Sequence, residues 1–399
     1  MTTSRRTLIR IVGIGSAALA AGRPTAVLAQ ATPAPAAAPE PDIGAASSAN
    51  QEIKIVNFDL LEQQAKDMLP PARFAFMGPA GDGWTYRENR RAFNDFPIMP
   101  RRLQGVNDID LRTRLLGHDL PFPMITPPMG AQGMIHVGAE IPDAGGTGMA
   151  GTLYVSSGAA TKKMEDIASA TPGPKWFQIY MNKDPEINRW LCQRAKAAGF
   201  SAIVLTADAL GPGASDEYIR LGRPFPTALR VPGNHDPAQG GRGNFFDMKR
   251  DLGYGDIEFL SRASGLPVVV KGLLSVEDIR QSVAHGAAAI WVSNHGGRQM
   301  DGVPATISVL RAAVDSVQGR VPVIMDSGIR RGVDVFKALA LGATAVAVGR
   351  PVLWGMAVGG APGVKAVYAQ LAGELRSAML LSGVAKIGDI NRKYVVQKA

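Results

Sequence analysis

The segment Pro-Val-Val-Val-Lys at 267–271, the stretch 276–285 and the run Ala-Ile-Trp-Val at 289–292 decide the fold class. The two short runs are apolar and rich in β-branched or aromatic residues, which favours buried strands. Between them, apolar residues recur at helical spacing. A strand, a helix and a second buried strand in succession predict a βαβ unit with parallel strands.

The same alternation recurs from about residue 120 onwards, with further helical stretches at 184–198 and 332–341. Eight strands of this kind predict a closed (β/α)₈ TIM barrel within the α/β class. The barrel domain is expected to span 51–395, with 51–120 as an N-terminal helical extension. The predicted strands are 123–126, 148–153, 176–179, 202–206, 267–271, 289–292, 322–326 and 344–348.

The gap at 207–266, after the fourth predicted strand, is too long for a simple crossover. Connections of this length in a compact domain usually carry function. We therefore predict a long loop over the mouth of the barrel that acts as an active-site lid. His235 lies in this loop, either as a solvated histidine or as a residue that touches substrate.

The first thirty residues predict an export signal. Arg5 and Arg6 precede the weakly apolar stretch 11–21, and Ala-Val-Leu-Ala at 26–29 provides a cleavage site. Paired arginines in this context are typical of a twin-arginine signal, which directs an already folded protein to the periplasm. A plain secretory signal and an uncleaved anchor are the alternatives. Residues 31–50 are rich in Pro and Ala and are expected to form a linker.

Composition excludes several classes of protein. Hydrophobic residues make up 46% of the 399 residues and charged residues 19%, which is too apolar for a disordered chain. Removing the four arginines of the signal lowers the net charge from +9 to +5, and no basic run with interleaved aromatics predicts nucleic-acid binding. The single cysteine, Cys192, rules out an intrachain disulfide and a multi-cysteine metal site. The five histidines are scattered, so no metal site is predicted.

Polar side chains follow six of the eight predicted strands. Because the carboxyl ends of barrel strands meet at one face, this pattern predicts an active site there. His295 alone could be a structural histidine, but beside Gly296, Gly297 and Arg298 it is expected to be catalytic. The strand-end residues are Gln178, Tyr180, Thr206, Asp208, Lys271, Ser293, His295, Arg298, Asp326, Arg330, Gly349 and Arg350.

The last two of these turns have the features of a phosphate site. Gly328 and Gly349 allow close approach of the backbone, and N–H groups at the starts of the following helices can bind an anion. Arg350 and Arg330 add charge-assisted donors. Tight strand-to-helix turns without a ligand are the alternative interpretation.

Six motifs together resemble the FMN-dependent α-hydroxy-acid oxidase/dehydrogenase family, which includes glycolate oxidase and lactate oxidase. The resemblance covers roughly residues 55 to 390. It implies FMN as cofactor and oxidation of an L-2-hydroxy acid, or a related secondary alcohol, to the keto product. The motifs are Ser-Asn-His-Gly-Gly-Arg-Gln at 293–299, Phe-Gln-Ile-Tyr at 177–180, Leu-Thr-Ala-Asp at 205–208, Val-Lys-Gly at 270–272, Asp-Ser-Gly-Ile-Arg-Arg-Gly at 326–332 and Gly-Arg-Pro-Val-Leu at 349–353.

The resemblance also implies roles for individual residues. His295 corresponds to the base, Asp208 to the partner of its imidazolium, and Lys271 to the group that stabilises the reduced flavin. Arg298 would bind the substrate carboxylate and Tyr180 a substrate oxygen. The residues expected to hold FMN are Pro128, Met129, Gly130, Ser157, Gln178, Thr206, Lys271, Ser293, Asp326, Gly328, Arg330, Gly349 and Arg350.

Three substrate-facing positions depart from the family pattern. Ala75 replaces a tyrosine, Ser215 an arginine and Ala159 an aromatic residue. Either Arg220 or Arg223 could stand in for the lost arginine if the loop is rearranged. The departures predict a substrate other than glycolate or lactate, or a pocket rebuilt for a larger or uncharged molecule.

The resemblance leaves the electron acceptor open between oxygen, a quinone and a cytochrome. Gly130 favours a dehydrogenase, because family oxidases often have alanine at this position. An FMN-barrel isomerase similar to type 2 isopentenyl-diphosphate isomerase is one alternative function. A flavin-binding protein that has lost substrate oxidation is another. The family resemblance further suggests a homotetramer.

Overall fold

The computed structural model describes residues 42–398, apart from 212, 214, 227–228, 230–232 and 236–246. The predicted signal peptide at 1–30 and most of the predicted linker therefore lie outside the described residues. Within the described part, no helix is long and apolar enough to cross a membrane.

The N-terminal extension consists of three helices and a hairpin. Helix α1 buries Phe58, Leu61 and Ala65, which recur at helical spacing and form its apolar face. After the helices, Leu115 and Leu120 of the hairpin join the apolar cluster inside the barrel. The extension comprises α1 (Phe58–Met68), α2 (Pro71–Phe76), α3 (Trp84–Arg91), β1 (Thr113–Leu115) and β2 (His118–Leu120).

Eight parallel strands follow, hydrogen-bonded in the order β3-β10-β9-β8-β7-β6-β5-β4. A parallel bridge between Thr126 and Tyr154 joins the two outermost strands, so the predicted (β/α)₈ barrel is confirmed. The strands are β3 (Met124–Ile125), β4 (Tyr154–Ser157), β5 (Lys175–Ile179), β6 (Ile203–Thr206), β7 (Val268–Leu273), β8 (Ala289–Val292), β9 (Val323–Met325) and β10 (Ala345–Ala347).

Side chains alternate between the two faces of each strand. Trp176 and Trp291 fill the barrel interior, whereas Phe177 and Ile290 join the cluster that packs under the surrounding helices. These helices are α4 (Glu140–Met149), α5 (Met164–Ser169), α6 (Pro185–Ala197), α7 (Asp216–Arg220), α8 (Gly255–Ser264), α9 (Val276–Ala284), α10 (Thr306–Val317), α11 (Gly332–Ala340) and α12 (Arg350–Ser382). The three helices predicted from periodicity are confirmed as α6, α9 and α11.

The strand predicted at 148–153 is wrong. Met149 ends α4, and the second barrel strand, β4, begins only at Tyr154. Gly148 and Met149 are the last two residues of α4, and this helix lies tightly against α12 at Gly146, just before the predicted strand. A Cβ atom on Gly146 would lie 2.4 Å from the carbonyl oxygen of Ala361. A local pattern cannot show this close approach of a distant helix.

The long connection after the fourth barrel strand, β6, contains regular structure in its described parts. Helix α7 lies near its start, and α8 is the helix that leads back to β7. The intervening Asn234 is fully buried and anchors the connection to the end of β4. Its Nδ2 donates to the carbonyl oxygens of Ser157 at 3.2 Å and Gly158 at 3.4 Å. The part of the connection around Asn234 thus lies against the carboxyl-terminal face of the barrel.

Candidate active site

His295 and Asp208 meet at the carboxyl ends of β8 and β6. The His295 Nδ1 atom lies 3.1 Å from Asp208 Oδ1. The His295 backbone has a φ of 58°, an unusual conformation for a residue other than glycine, and its N–H donates to Ser293 Oγ at 3.0 Å. Such strained backbone is characteristic of functional sites, where surrounding contacts hold it in place. With Nδ1 engaged, Nε2 is the nitrogen that can accept a proton.

The charges around this pair set its protonation. Burial and the nearby Lys271 lower the pKa of His295, while Asp208 opposes that shift. Burial works against ionisation of Asp208, but His295 and Lys271 outweigh it and hold the pKa of the carboxyl below its usual value. The imidazole is therefore neutral at neutral pH and lies beside a carboxylate that can stabilise its protonated form.

Lys271, Ser293 and Asp326 form a buried triangle on the neighbouring strands β7, β8 and β9. Lys271 Nζ donates to Ser293 Oγ at 3.0 Å, and Ser293 Oγ donates to Asp326 Oδ2 at 2.9 Å. Lys271 Nζ and Asp326 Oδ2 are 3.6 Å apart. These contacts hold the ammonium in a fixed position. From there it can stabilise a negative charge that develops on a bound molecule.

Arg298 lies between the barrel and the N-terminal extension. Its Nη1 donates to the carbonyl oxygens of Phe76 at 2.8 Å and Gly78 at 3.0 Å, and its guanidinium lies 5.4 Å from the Phe76 ring centroid. Within the described residues Arg298 has no carboxylate partner. Burial raises the pKa of Tyr180 far above its ordinary value, and Asp208 adds to the shift, so the phenol keeps its proton. Both groups can donate to a substrate oxygen.

The residues expected around the flavin ring leave buried polar atoms without partners. Ser157 Oγ donates to Gln178 Oε1 at 3.1 Å, which fixes the side-chain amide. Gln178 Nε2 and Thr206 Oγ1 are buried and make no hydrogen bond within the described residues. Buried polar atoms are nearly always paired in a complete structure, so these two fit the polar edge of a ligand. Pro128, Met129 and Gly130 form the half-buried turn after β3.

The turns after β9 and β10 bring the residues of the predicted anion site together. Arg350, the first residue of α12, donates to the carbonyl oxygens of Met77 and Gly296, both at 2.8 Å, and its Nη2 is buried without a partner. Arg330 likewise has an unpartnered buried Nε. Burial, with Arg298 and Arg330 nearby, lowers the pKa of Arg350 to about 9. An anion at this helix start would relieve that clustering of positive charge.

The turn predicted to bind phosphate requires glycine at position 328. Its φ is 82°, and a Cβ atom there would lie 2.1 Å from the carbonyl oxygen of Asn89. The α3 helix of the extension therefore presses directly against this turn. Together with Gly349 and Asp326, the donors described above fit the phosphate, ribityl chain and ring edge of FMN.

The three departures from the family pattern lie in two places. Ser215 Oγ donates to the carbonyl oxygen of Ala75 at 3.3 Å, so these two positions are adjacent. Ala159 lies beside Gly130 instead, because a Cβ atom on Gly130 would be 2.9 Å from Ala159 Cβ. Arg220 does not replace the lost arginine, since it is exposed and paired with Glu217 at 2.6 Å.

Arg223 is also exposed, with a positive φ of 52° in the turn after α7. His235, expected to be either a solvated loop histidine or a substrate contact, is only 8% exposed. Arg223 thus faces solvent. His235 is buried, so its interpretation as a solvated loop histidine is wrong, and its contact with substrate stays a prediction.

Three supporting residues were not found from the sequence. Asn89 of α3 exchanges two hydrogen bonds with Asn294, at 2.8 and 2.9 Å, and so supports the turn that carries His295. Tyr86 stacks on the Arg350 guanidinium at 4.6 Å, and Tyr218 of α7 packs beside Phe76. Asn89 is one of several polar residues of α3, and the sequence gave no sign of its partner 205 residues away.

The family model for FMN-dependent dehydrogenases matches residues 65–397. The chain is 39% identical over 357 residues to an L-lactate oxidase of Lactobacillus jensenii, covering 88% of each chain. It is 39% identical to a glycolate oxidase of Spinacia oleracea over 354 residues, covering 86% of this chain and 96% of the relative. A Pediococcus acidilactici putative lactate oxidase superposes with a TM-score of 0.83 at 36% identity, covering 89% of this chain and 98% of that one. The chain therefore belongs to the FMN-dependent dehydrogenase family.

Proposed function

We propose that this protein uses FMN to oxidise an L-2-hydroxy acid, with His295 as the base. The observation that carries the proposal is the His295–Asp208 pair, set among strand-end donors that fit the cofactor. When bound, FMN supplies the acceptor for the hydrogen and two electrons removed from the substrate carbon.

His295 takes the proton of the substrate hydroxyl at Nε2. Because the pKa of His295 is lowered, this nitrogen is unprotonated at neutral pH and can accept the substrate proton at the start of each turnover. Once protonated, the imidazolium faces the Asp208 carboxylate, whose pKa is held low. Asp208 thus stabilises the charge that forms on the base.

Arg298 and Tyr180 orient the substrate. The Arg298 guanidinium is held by two backbone carbonyl oxygens through Nη1, which leaves Nε and Nη2 for the substrate carboxyl group. Tyr180 keeps its proton and donates to a substrate oxygen. Lys271, held by Ser293 and Asp326, would stabilise negative charge on the ring of the reduced cofactor.

We propose oxygen as the electron acceptor, with a quinone or a cytochrome as the alternatives to be tested. The relatives cited above are named oxidases. Gly130 does not argue against this, because packing explains it: an added Cβ would meet Ala159 at 2.9 Å. Stopped-flow reoxidation by air-saturated buffer, compared with a soluble quinone and cytochrome c, measures the preference.

We further propose that the protein is exported by the twin-arginine route and works in the periplasm as a homotetramer. The paired Arg5 and Arg6 and the alanine-rich stretch that follows support the export. Cell fractionation of the wild type and an R5K/R6K variant tests it, with periplasmic activity expected only for the wild type. Sedimentation of the purified protein measures the oligomeric state.

Anaerobic mixing of the purified holoprotein with 2-hydroxy acids tests the central reaction. We expect bleaching of the flavin absorbance at about 450 nm. In His295→Gln the rate should fall by about 10²- to 10⁴-fold with FMN still bound. The matched control is His285→Gln, an exposed histidine paired with Glu258 at the end of α9, which should bleach like the wild type.

Three outcomes would contradict the proposal. Bound FMN without bleaching by any acid favours a flavin-binding protein that has lost the reaction. Product formation without an acceptor favours an isomerase. A protein purified without flavin, and unable to bind it on addition, contradicts the cofactor assignment.

A further inference from the structure

Ala75 and Ser215, the two positions without the expected carboxylate-binding side chains, pack against each other and enclose no cavity between them. Ser215 Oγ donates to the Ala75 carbonyl oxygen at 3.3 Å and accepts the Tyr218 backbone N–H at 3.0 Å. Gly78 fits against the same hydroxyl, since a Cβ there would lie 2.9 Å from Ser215 Oγ. The extension and the connection after β6 close directly on each other. Arg223 is exposed and lowers the pKa of Tyr218 through its charge. The second cation expected at position 215 is missing from this side of Arg298.

Aromatic side chains stand where that second cation would act. The Tyr218 ring meets the Phe76 ring edge-on at 5.9 Å, and Phe225 lies 5.8 Å from Phe76 on another side. We call Phe76, Tyr218 and Phe225 the aromatic wall. The Tyr218 hydroxyl donates to the Pro224 carbonyl oxygen at 2.9 Å, so it is already committed within its own loop.

Arg298 connects this wall to the catalytic residues. Its guanidinium lies over Phe76; burial raises the pKa of Tyr218, and the Arg298 charge limits that rise, which leaves the pKa at about 12. A group attached to the substrate carbonyl that Arg298 binds would therefore lie beside aromatic carbon. A substrate carboxylate at this place would contact one cation, Arg298, and would lose its hydration. An ester or amide group would instead gain apolar contacts with the aromatic rings.

We infer that this site accepts uncharged 2-hydroxy-acyl compounds, the esters and amides of 2-hydroxy acids, about as well as the free acids. The inference rests on the proposed function. The reaction is unchanged: the C–H and O–H bonds break, the carbon becomes a ketone, and its hydrogen and two electrons go to FMN. His295 takes the hydroxyl proton, and the ester or amide bond stays intact.

The first test compares a 2-hydroxy acid with its methyl ester and its amide, by anaerobic flavin bleaching of the holoenzyme. We expect kcat/KM values for the acid and its neutral derivatives within about tenfold of each other. A second charge-assisted contact would favour the acid by a further factor of about 10 to 150. A preference for the acid above about 100-fold overturns the inference but leaves the proposed function intact. Bleaching by none of the three refutes the proposed function itself.

A variant that restores the missing arginine at position 215 provides a second test. In Ser215→Arg, the acid-to-ester ratio of kcat/KM should rise at least tenfold. Glu217→Gln is the matched control, because Glu217 lies on the same helix, exposed and paired with Arg220, and its ratio should not change. An unchanged ratio in a folded, FMN-loaded Ser215→Arg enzyme counts against the inference.

Tyr218→Ser keeps the inference testable if Ser215→Arg does not fold. It removes aromatic surface without adding charge, so KM for the ester should rise about fivefold more than KM for the acid. An equal effect on both substrates would mean that Tyr218 has only a structural role, which contradicts the aromatic wall.

Discussion

The strand-end cluster of the site and its outer rim differ in how they are held. His295, Asp208, Lys271 and Asp326 sit on neighbouring strands and are cross-linked by hydrogen bonds at 2.9–3.1 Å. The rim is built instead from the extension and the connection after β6, which meet at Ser215. The cluster matches the family pattern and the rim departs from it. We therefore expect the sheet to fix the residues of the proposed reaction, and the rim to set the substrate preference.

The register of the barrel explains the difference. Thr206 pairs with Lys271 across β6 and β7, and Lys271 pairs with Trp291 across β7 and β8. Moving one catalytic side chain would require shifting a buried strand, which would turn its apolar residues to the wrong face. A substitution in the rim changes only local contacts between two connections.

The strand-end cluster should show the largest effect. In Asp208→Asn the rate of flavin reduction should fall by about 10²- to 10⁴-fold, because an amide cannot neutralise the imidazolium. Asp208 raises the pKa of His295, so its loss should move the acid limb of the kcat/KM profile to lower pH. In the wild type that limb should already lie below pH 6.5, the ordinary pKa of the imidazole. A limb that moves upward in the variant would contradict this arrangement.

The anion site should show the next effect. Arg350→Met removes a guanidinium whose Nη2 is buried and unpartnered, and should weaken FMN binding by about 10- to 150-fold. Fluorescence titration of the apoprotein with FMN measures the Kd. Arg262→Met serves as control, because Arg262 is an exposed residue paired with Glu258 on α8. Equal affinities in the two variants would remove Arg350 from the cofactor site.

Breaking the contact between the N-terminal extension and the barrel should have a smaller effect, and this effect should be on the free energy of unfolding. The Asp301 carboxylate accepts the backbone N–H groups of Gly83, Trp84 and Thr85, at 2.7–3.2 Å. Asp301→Ala should lower the free energy of unfolding by about 1–3 kcal/mol, because it leaves the start of α3 uncapped. Urea unfolding of the holoprotein measures the change, and Asp301→Asn should lose less. No change in either variant would show that water replaces the carboxylate.

The smallest effect should come from the surface of the rim. Arg220 pairs with Glu217 in solvent, with 69% of its side chain exposed. Arg220→Gln should change kcat/KM for acids by less than about twofold and leave the midpoint of urea unfolding unchanged, because exposed ion pairs contribute little to stability. A tenfold loss of kcat/KM with acids, but not with their esters, would mean that Arg220 contacts the substrate carboxylate.

The sequence predicted the barrel well because its strands are short, buried and β-branched, and their polar ends recur in order. It failed at 148–153, because α4 continues to Met149 and packs against α12 through the preceding Gly146. It also missed Asn89, whose partner Asn294 is far away in the chain. Local periodicity reports burial along one element, and neither contact is local.

The amino-acid sequence by itself predicted the barrel, the FMN-dependent family and the strand-end residues around His295, because each rests on short contiguous runs that recur along the chain. Only the tertiary structure decided that Ser215 closes against Ala75 and that Arg220 points to solvent. It also decided that Phe76, Tyr218 and Phe225 come together. These contacts join segments that are separate in the chain, and their geometry follows from how the extension and the connection pack on the barrel.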